Sequence, residues 1–252
     1  MNYKKLGNTG LKVSGLSFGS ASLGGVFHEV DEKEAVRAVH SALDAGINYI
    51  DVSPAYGATK SEQVLGKALK GVDRGRYHLS TKVGKTTHPG EYGNDSFDFS
   101  KKSILASLEA SRERIGVDYF DIIYLHDFDY MGQKYADQAL TEGFETLAGL
   151  KEEGKIGAVG AGIYEMSLWK RVLLETDVDA LLVHNHYCIN DIRLLELMPL
   201  CAQKGVGIVN GSPFGSGLLT DRGAPDWHPV NTEQRALFSR AAELCKRRGT
   251  SI

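Results

Sequence analysis

The chain has 252 residues, of which 42% are hydrophobic and 24% are charged, and its formal net charge is −3. These values are ordinary for one large globular domain, and the slight negative charge excludes a bulk attraction to nucleic acid or to an anionic membrane. No apolar run reaches the ~20 residues that a membrane-spanning helix needs, and the N-terminus has no apolar secretory segment. The three cysteines show neither metal-ligand spacing nor an even disulfide set. We therefore expect a cytoplasmic, monomeric protein that forms a single domain over residues 1–252.

Strand-like and helix-like segments alternate along the chain. A short hairpin is predicted over residues 3–11, followed by seven apolar runs of strand length: VSGLSFG, INYIDVS, YHLSTKV, FDIIYLH, IGAVGAG, DALLVHN and GVGIVNG. Helical periodicity is present over residues 31–43, 61–69, 101–115, 140–153, 168–175, 192–203 and 233–248. Four of these helical stretches are followed by a glycine that suits a left-handed C-cap: Gly46, Gly116, Gly154 and Gly205. Strict alternation of strand and helix predicts a parallel sheet with right-handed crossovers.

Both a closed eight-fold barrel and an open doubly wound sheet satisfy this alternation. Two observations favour the (β/α)8 TIM barrel. No strand is followed by the glycine-rich dinucleotide fingerprint with its acidic partner about 20 residues on. Polar residues also stand at the carboxyl ends of successive strands, where barrels place their active sites: Asp51, Lys82, His126, His184, Asn185, His186 and Asn210. Only seven βα units can be counted, so we expect the eighth unit to be absent, the barrel to be truncated at its C-terminus and its seam to be open.

Three of these polar residues, together with a tyrosine, suggest a site for proton transfer. Asp51, Lys82 and His126 end neighbouring strands, and Tyr56 lies on the loop after Asp51. An ammonium near a tyrosine hydroxyl favours the phenolate and lowers the pKa of the tyrosine, so we expect Lys82 to lower the pKa of Tyr56. Asp51 would hold Lys82, and His126 would donate a hydrogen bond to a substrate oxygen. Such a tyrosine is a general acid for carbonyl reduction or a general base for alcohol oxidation, with the hydride carried by a cofactor.

Several segments resemble the aldo-keto reductase family over essentially the whole chain. The stretch DVSPAYGATKSEQVLGKAL resembles the second strand, tyrosine loop and second helix of that family, and KKLGNTGLKVSGLSFGSASLG resembles its opening. STKVGK and DIIYLHD resemble its third and fourth strand ends. The resemblance implies a TIM barrel of aldo-keto reductase type with an N-terminal β-hairpin. It also implies a nicotinamide-dependent oxidoreductase whose catalytic tetrad is Asp51, Tyr56, Lys82 and His126.

A narrower resemblance suggests the substrate. Within the family, SPAYG with TKSE, the His-Asp pair and GLLTDRGAPDWHP are most similar to the L-galactose dehydrogenases and related aldose 1-dehydrogenases. This implies oxidation of an L-galactose-like aldose at C1 to its lactone. Substrate contacts are expected from Phe27, His28 and Asp127, because several polar groups near a Tyr/His pair suit a polyhydroxylated ligand. His88 and Tyr92 are further candidates, although TTHPGEYGNDSFDF is equally compatible with a solvated surface loop.

The cofactor site is predicted mainly on the loop GSPFGSGLLTDRG after the seventh strand. Exposed amides of such a loop can hold a pyrophosphate, and the resemblance assigns Ser212, Phe214 and Gly215, with Ser216 beside them. Two departures concern the carboxamide pocket, where Gly162 replaces the usual serine of a Ser-Asn pair and His184 replaces the usual glutamine. We expect NAD or NADP as cofactor, with NAD slightly favoured. The segment that selects between the two in the family is not in this sequence.

Other functions remain open at this point. One is an NADPH-dependent aldehyde or ketone reductase of the same fold, and another is a non-catalytic, cofactor-binding regulatory subunit. A metal-dependent barrel hydrolase or isomerase would use His184 and His186, which as alternate residues of one strand would point to one side, with His126 and Asp51. The first strand offers no ligand and Lys82 would repel a metal, so no metal site is expected.

Overall fold

The fold is built on a parallel sheet of seven strands in the order β11–β10–β9–β8–β5–β4–β3, which curls into an open barrel wall. A computed structural model describes residues 1–26, 29–87, 95–220, 223 and 230–250. In chain order the strands are β1 (Tyr3–Lys5), β2 (Lys12–Ser14), β3 (Phe18–Gly19), β4 (Tyr49–Asp51), β5 (His78–Val83), β6 (Lys85–Thr86), β7 (Ser96–Phe97), β8 (Phe120–His126), β9 (Ile156–Ile163), β10 (Ala180–His184) and β11 (Gly207–Gly211). The predicted count of seven parallel strands is confirmed.

The helices follow the strands at the predicted places, with differences of a few residues at their ends. They are α1 (Glu32–Asp44), α2 (Lys60–Leu69), α3 (Lys101–Ile115), α4 (Tyr130–Gln133), α5 (Ala136–Gln138), α6 (Phe144–Glu152), α7 (Met166–Glu175), α8 (Met198–Lys204) and α9 (Thr232–Arg247). The Asp31 side chain caps α1 by accepting a hydrogen bond from the Glu34 amide at 2.9 Å. Gly116 ends α3 in the left-handed conformation, with φ 77°. No helix among the described residues is both long and apolar enough to cross a membrane.

The alternation of side chains along the strands separates two apolar clusters. One face packs under the helices and includes Ile50, Leu79 and Ile123. The other face lines the barrel interior, and its cluster is formed by Leu6, Val13, Tyr49, Ile122, Tyr124, Ala158 and Ala180. Since Leu6 and Val13 belong to the β1–β2 hairpin and its loop, the hairpin closes the amino end of the barrel. The opposite, carboxyl end is the mouth.

Two local predictions are wrong. The run VSGLSFG does not form one strand, because Ser14 pairs with Tyr3 in the hairpin and only Phe18–Gly19 joins the sheet beside β4. The Ser14 amide is held by the Asn48 side chain at 2.6 Å, which ties the hairpin to the start of β4 instead of extending β3. The antiparallel pair β6–β7 was also not predicted. It begins directly after Gly84, whose φ of 94° breaks the line of β5.

A buried ion pair holds the layers together on the outer side of β5. Glu62 of α2 has no solvent exposure and accepts a hydrogen bond from Arg114 of α3, with Nε 2.6 Å from Oε2. Its other oxygen accepts from the Thr81 hydroxyl at 2.8 Å. Both carboxylate oxygens are therefore partnered, as a buried charge requires.

Replacing Glu62 by alanine should destabilise the fold by about 3–5 kcal/mol, because the Arg114 guanidinium loses its buried counter-charge. The matched control is Glu32→Ala, which breaks an exposed pair with Lys67 and should cost about 1 kcal/mol or less. Urea unfolding gives the free energy of unfolding for both variants. Equal losses would contradict the importance of the buried pair.

Candidate active site

A lysine–aspartate pair lies at the carboxyl ends of two neighbouring strands. Lys82 on β5 places its Nζ 2.5 Å from Asp51 Oδ2 on β4 and 3.0 Å from the Val52 carbonyl oxygen. Lys82 is 1% exposed and Asp51 7% exposed. Burial opposes the charge on Lys82, but Asp51 and Tyr56 outweigh that effect and raise the pKa of Lys82. The ammonium therefore stays protonated.

Tyr56 lies directly above this pair. The Lys82 ammonium is 4.7 Å from the centroid of the Tyr56 ring, and the His126 ring meets it edge-on with centroids 6.0 Å apart. The loop after β4 can take this position because the next residue is glycine. Gly57 has φ 61°, and a Cβ there would lie 2.1 Å from the Gly24 carbonyl oxygen.

The pKa of Tyr56 moves in the opposite direction from the one predicted. Burial raises the pKa of Tyr56 above its ordinary value, and the charge of Lys82 offsets that rise only in part. Lys82 does lower the pKa of Tyr56, as expected, but the expected net lowering is wrong because burial of the phenol outweighs that contribution. Lys82 still favours the phenolate relative to a neutral residue at the same place.

His126 is neutral, and its tautomer follows from its neighbours. Burial, opposed by the nearby charge of Asp127, lowers the pKa of His126 to about 3. The Ser53 hydroxyl lies 3.2 Å from His126 Nδ1 and accepts a hydrogen bond from the Ala55 amide at 3.1 Å. Its own proton can be donated to Nδ1, and the Asp127 carboxylate stands 3.6 Å from Nε2, so we assign the ring proton to Nε2. The Nε2–H is the donor that can face a ligand.

A layer of hydroxyl groups supports Asp51 from below. Ser80 donates to Asp51 Oδ1 at 2.7 Å, and the Tyr49 hydroxyl lies 2.9 Å from both the Ser80 Oγ and the Tyr124 hydroxyl. Burial raises the pKa of Tyr49 and of Tyr124, so both phenols stay neutral. This chain of neutral hydroxyls completes the hydrogen bonds of the carboxylate and fixes its orientation.

Asp127 lies at the edge of the same group. Its Oδ2 is 3.6 Å from His126 Nε2 and 2.9 Å from Lys85 Nζ. Burial would raise the pKa of Asp127, but His126 and Lys85 together hold it below its ordinary value. The other two expected substrate residues, Phe27 and His28, lie outside the described residues, as do His88 and Tyr92.

The predicted cofactor residues gather at the ends of β10 and β11. Ser212 Oγ is 3.5 Å from His184 Nδ1, and the Asn185 side-chain Nδ2 donates to Ser216 Oγ at 3.4 Å. Gly215 has φ 60°, and its amide donates to the Ser212 carbonyl oxygen at 3.0 Å, which closes a tight turn after β11.

The other two predicted cofactor residues lie on β9 and at the end of β10. Gly162 of β9 faces the barrel interior, and a Cβ at that position would meet nothing closer than 3.8 Å. Burial lowers the pKa of His184, so its imidazole is neutral and can donate or accept a hydrogen bond. A neutral imidazole beside a small residue is compatible with an uncharged polar group such as a carboxamide.

The arrangement needed for the metal-dependent alternative is not formed. Asn185 has φ 59°, which ends the strand before His186 and breaks the alternation that would place the two histidines on one side. His186 instead bonds the Tyr164 carbonyl oxygen at 2.6 Å and Asp191 at 3.0 Å. Over the described ranges, no group of three or more His, Cys, Asp or Glu side chains could hold a metal ion.

Three residues at the mouth were missed in the sequence. Ser53 and Ser80 stand two residues from Asp51 and Lys82, so strand alternation alone places them on the same interior face. Lys85 lies beyond the break at Gly84, where alternation no longer applies, and only the folded chain shows that it meets Asp127.

Comparison with known proteins identifies the family. The model of the Aldo/keto reductase family matches residues 15–252, and the chain belongs to this family. It is 40% identical to the L-galactose dehydrogenase of Arabidopsis thaliana, over 99% of this chain and 76% of that one. It is 33% identical to the D-threo-aldose 1-dehydrogenase of a Pseudomonas species, over 83% of this chain and 68% of that one.

The solved structures agree with this assignment. An aldo-keto reductase of Bacillus halodurans, solved in its holo form, superposes with a TM-score of 0.79 at 31% identity, covering 96% of this chain and 77% of that one. The chain is thus an NAD(P)-dependent oxidoreductase of the aldo-keto reductase family, whose members act on small carbonyl or sugar substrates.

The coupling of Lys82 to Tyr56 can be tested by pH dependence. Replacing Lys82 by methionine removes the charge that lowers the pKa of Tyr56, so that pKa should rise further. A base with a higher pKa is deprotonated only at higher pH, so kcat/KM for alcohol oxidation should begin to rise at higher pH than in the wild type.

The control is Lys151→Met, which removes a partly exposed lysine paired with Asp179 and should leave the pH profile unchanged. Near-UV circular dichroism checks that each variant is folded. An identical pH profile for folded Lys82→Met and the wild type would exclude the coupling.

Proposed function

We propose that this chain oxidises an aldose at C1 to the corresponding lactone, with an L-galactose-like sugar as substrate and NAD as the preferred acceptor. The observation that carries the proposal is the position of Tyr56, which lies between a protonated Lys82 and a neutral His126 at the barrel mouth. The two aldose-oxidising relatives named above support the choice of substrate.

The proposed roles follow from the protonation states. His126 donates its Nε2–H to the C1 oxygen of the sugar, which orients the C1 hydroxyl toward Tyr56. Tyr56 takes the hydroxyl proton, and Lys82 stabilises the charge that develops on the tyrosine oxygen. Asp51 holds Lys82 in place and keeps it protonated, supported by Ser80. A bound nicotinamide dinucleotide supplies the acceptor for the hydride that leaves C1.

The cofactor-binding residues are proposed from the geometry of the loop after β11. Ser212, Phe214, Gly215 and Ser216 would form the loop that holds the pyrophosphate, with the serine hydroxyls as donors and Gly215 shaping the turn. His184 would bond the carboxamide in place of the glutamine that is usual in the family, and Gly162, which has no side chain, would lie beside it.

Tyr56→Phe tests the assignment of the base. The variant keeps the ring but loses the hydroxyl, so aldose oxidation should slow by about 10²–10⁴-fold, as expected for a lost acid/base. The assay follows nicotinamide absorbance with NAD and NADP in parallel and a panel of aldoses led by L-galactose. The control Tyr3→Phe removes an exposed hydroxyl at the hairpin and should leave turnover unchanged.

Each outcome of this assay decides between functions. Near-normal turnover by Tyr56→Phe would refute its role as the base. Wild-type carbonyl reduction without aldose oxidation would replace the proposal by a reductase. Cofactor binding without turnover in either direction would favour a regulatory subunit.

Gly215→Ala tests the pyrophosphate loop by binding alone. Its φ of 60° costs an alanine roughly 1–2 kcal/mol, and relaxation of the loop should raise the Kd for NAD about tenfold. The control Gly132→Ala has φ 67° and open space around the added Cβ, so it bears the same backbone cost away from the loop. Calorimetric titration with equal Kd values for both variants would contradict the assignment.

A further inference from the structure

We propose that Lys85 and Asp127 form a binding element for the hydroxyl group on the carbon next to the reacting carbon, so that the site selects uncharged, polyhydroxylated substrates. This inference rests on the proposed function. It goes beyond that function by naming the two residues that bind the hydroxyl next to the reacting carbon and by giving Lys85 a role.

Lys85 is held on several sides. Its Nζ lies 2.9 Å from Asp127 Oδ2 and 3.1 Å from Asp95 Oδ2, and its side chain is only 12% exposed. The same ammonium stands 4.7 Å from the centroid of the Tyr130 ring and 5.8 Å from that of Phe97. A lysine normally loses much rotamer freedom when it is fixed, so this enclosed ammonium is an organised feature and not a mobile surface charge.

Asp95 is itself anchored, since it accepts a hydrogen bond from the Thr87 hydroxyl. Lys85 and Thr87 come from the β6 side of the β6–β7 pair, and Asp95 comes from the β7 side. The pair of strands is thereby joined through Lys85 to the end of β8, where Asp127 follows His126. The contacts of Lys85 with Asp95 and Asp127 thereby fix the position of the Asp127 carboxylate at the barrel mouth.

Asp127 stands next to the place where the reacting oxygen must bind. A substrate oxygen that accepts the His126 Nε2–H lies about 3 Å from that nitrogen, and Asp127 Oδ2 is 3.6 Å from the same atom. A hydroxyl on the adjacent carbon of the substrate falls within reach of this carboxylate. Carboxylates accept hydrogen bonds and sugar hydroxyls donate them, so the two are complementary.

Lys85 is needed for Asp127 to serve in this way. Without a counter-charge, the carboxylate would compete for the His126 Nε2–H that the reacting oxygen requires. With Lys85 on Oδ2, the carboxylate is partly neutralised and aligned, and it is free to accept from a ligand. Of the described charges in this cluster, one ammonium faces two carboxylates, and the resulting negative balance disfavours sugar phosphates and sugar acids.

The experiment compares an aldose that the wild type oxidises with its 2-deoxy analogue, using kcat/KM at saturating NAD. A hydrogen bond to a charged group corresponds to about a 10–100-fold preference, so the wild type should prefer the 2-hydroxy sugar by that factor. In Lys85→Met and in Asp127→Asn, the preference should fall toward 1. Lys85→Arg keeps the charge and should recover part of it.

The matched control is Lys134→Met, which removes a lysine that stacks on Tyr135 and should keep the full preference. Thermal unfolding checks each variant, and the isosteric Asp127→Asn carries the test if Lys85→Met does not fold. An unchanged preference in folded variants would overturn the inference while leaving aldose oxidation intact. Oxidation of no aldose by the wild type would overturn the proposed function and this inference with it.

Discussion

The burial of one ammonium, that of Lys82, constrains the rest of the site. Removing an ion from water costs several kcal/mol even after relaxation, so the chain must surround it with partners of matching charge and geometry. Asp51 and the Val52 carbonyl supply those partners from the neighbouring strand. Because parallel strands end at the same edge of the sheet, the pair forms only if β4 and β5 are adjacent and in register, which the fold achieves. The curled parallel sheet thus places the partners that offset the cost of burying the Lys82 ammonium.

The barrel interior changes character along its axis. At the amino end, the hairpin residues Leu6 and Val13 pack on an apolar cluster. Above it comes the layer of neutral hydroxyls around Tyr49, and above that the charged pair. This order places the charges next to the mouth, where a ligand can meet them, and keeps water out from below. The groups proposed to face the substrate, Tyr56 and His126, are both neutral in the free chain, one with a raised pKa and the other with a lowered one.

Much of this arrangement is readable from the sequence, for physical reasons. Periodicity places the helices and strands, and glycines such as Gly116 end helices where a left-handed residue is required. Strand ends and the family resemblance bring together Lys82 and the three side chains around it. The rest depends on tertiary contacts: the pKa of Tyr56 follows burial by distant segments, and the meeting of Lys85 with Asp127 depends on closure of β6–β7 over the end of β8. No local pattern encodes either one.

The central claim is that Lys82 acts on the reaction through Tyr56. A double-mutant cycle on aldose oxidation tests it most directly, with kcat/KM measured for Lys82→Met, Tyr56→Phe and the double variant. If Lys82 works by stabilising the phenolate, the double variant should be no slower than Tyr56→Phe alone, because there is no hydroxyl left to influence. If the two fold-decreases in kcat/KM multiply in the double variant, Lys82 and Tyr56 act independently, and Lys82 does not work by stabilising the phenolate.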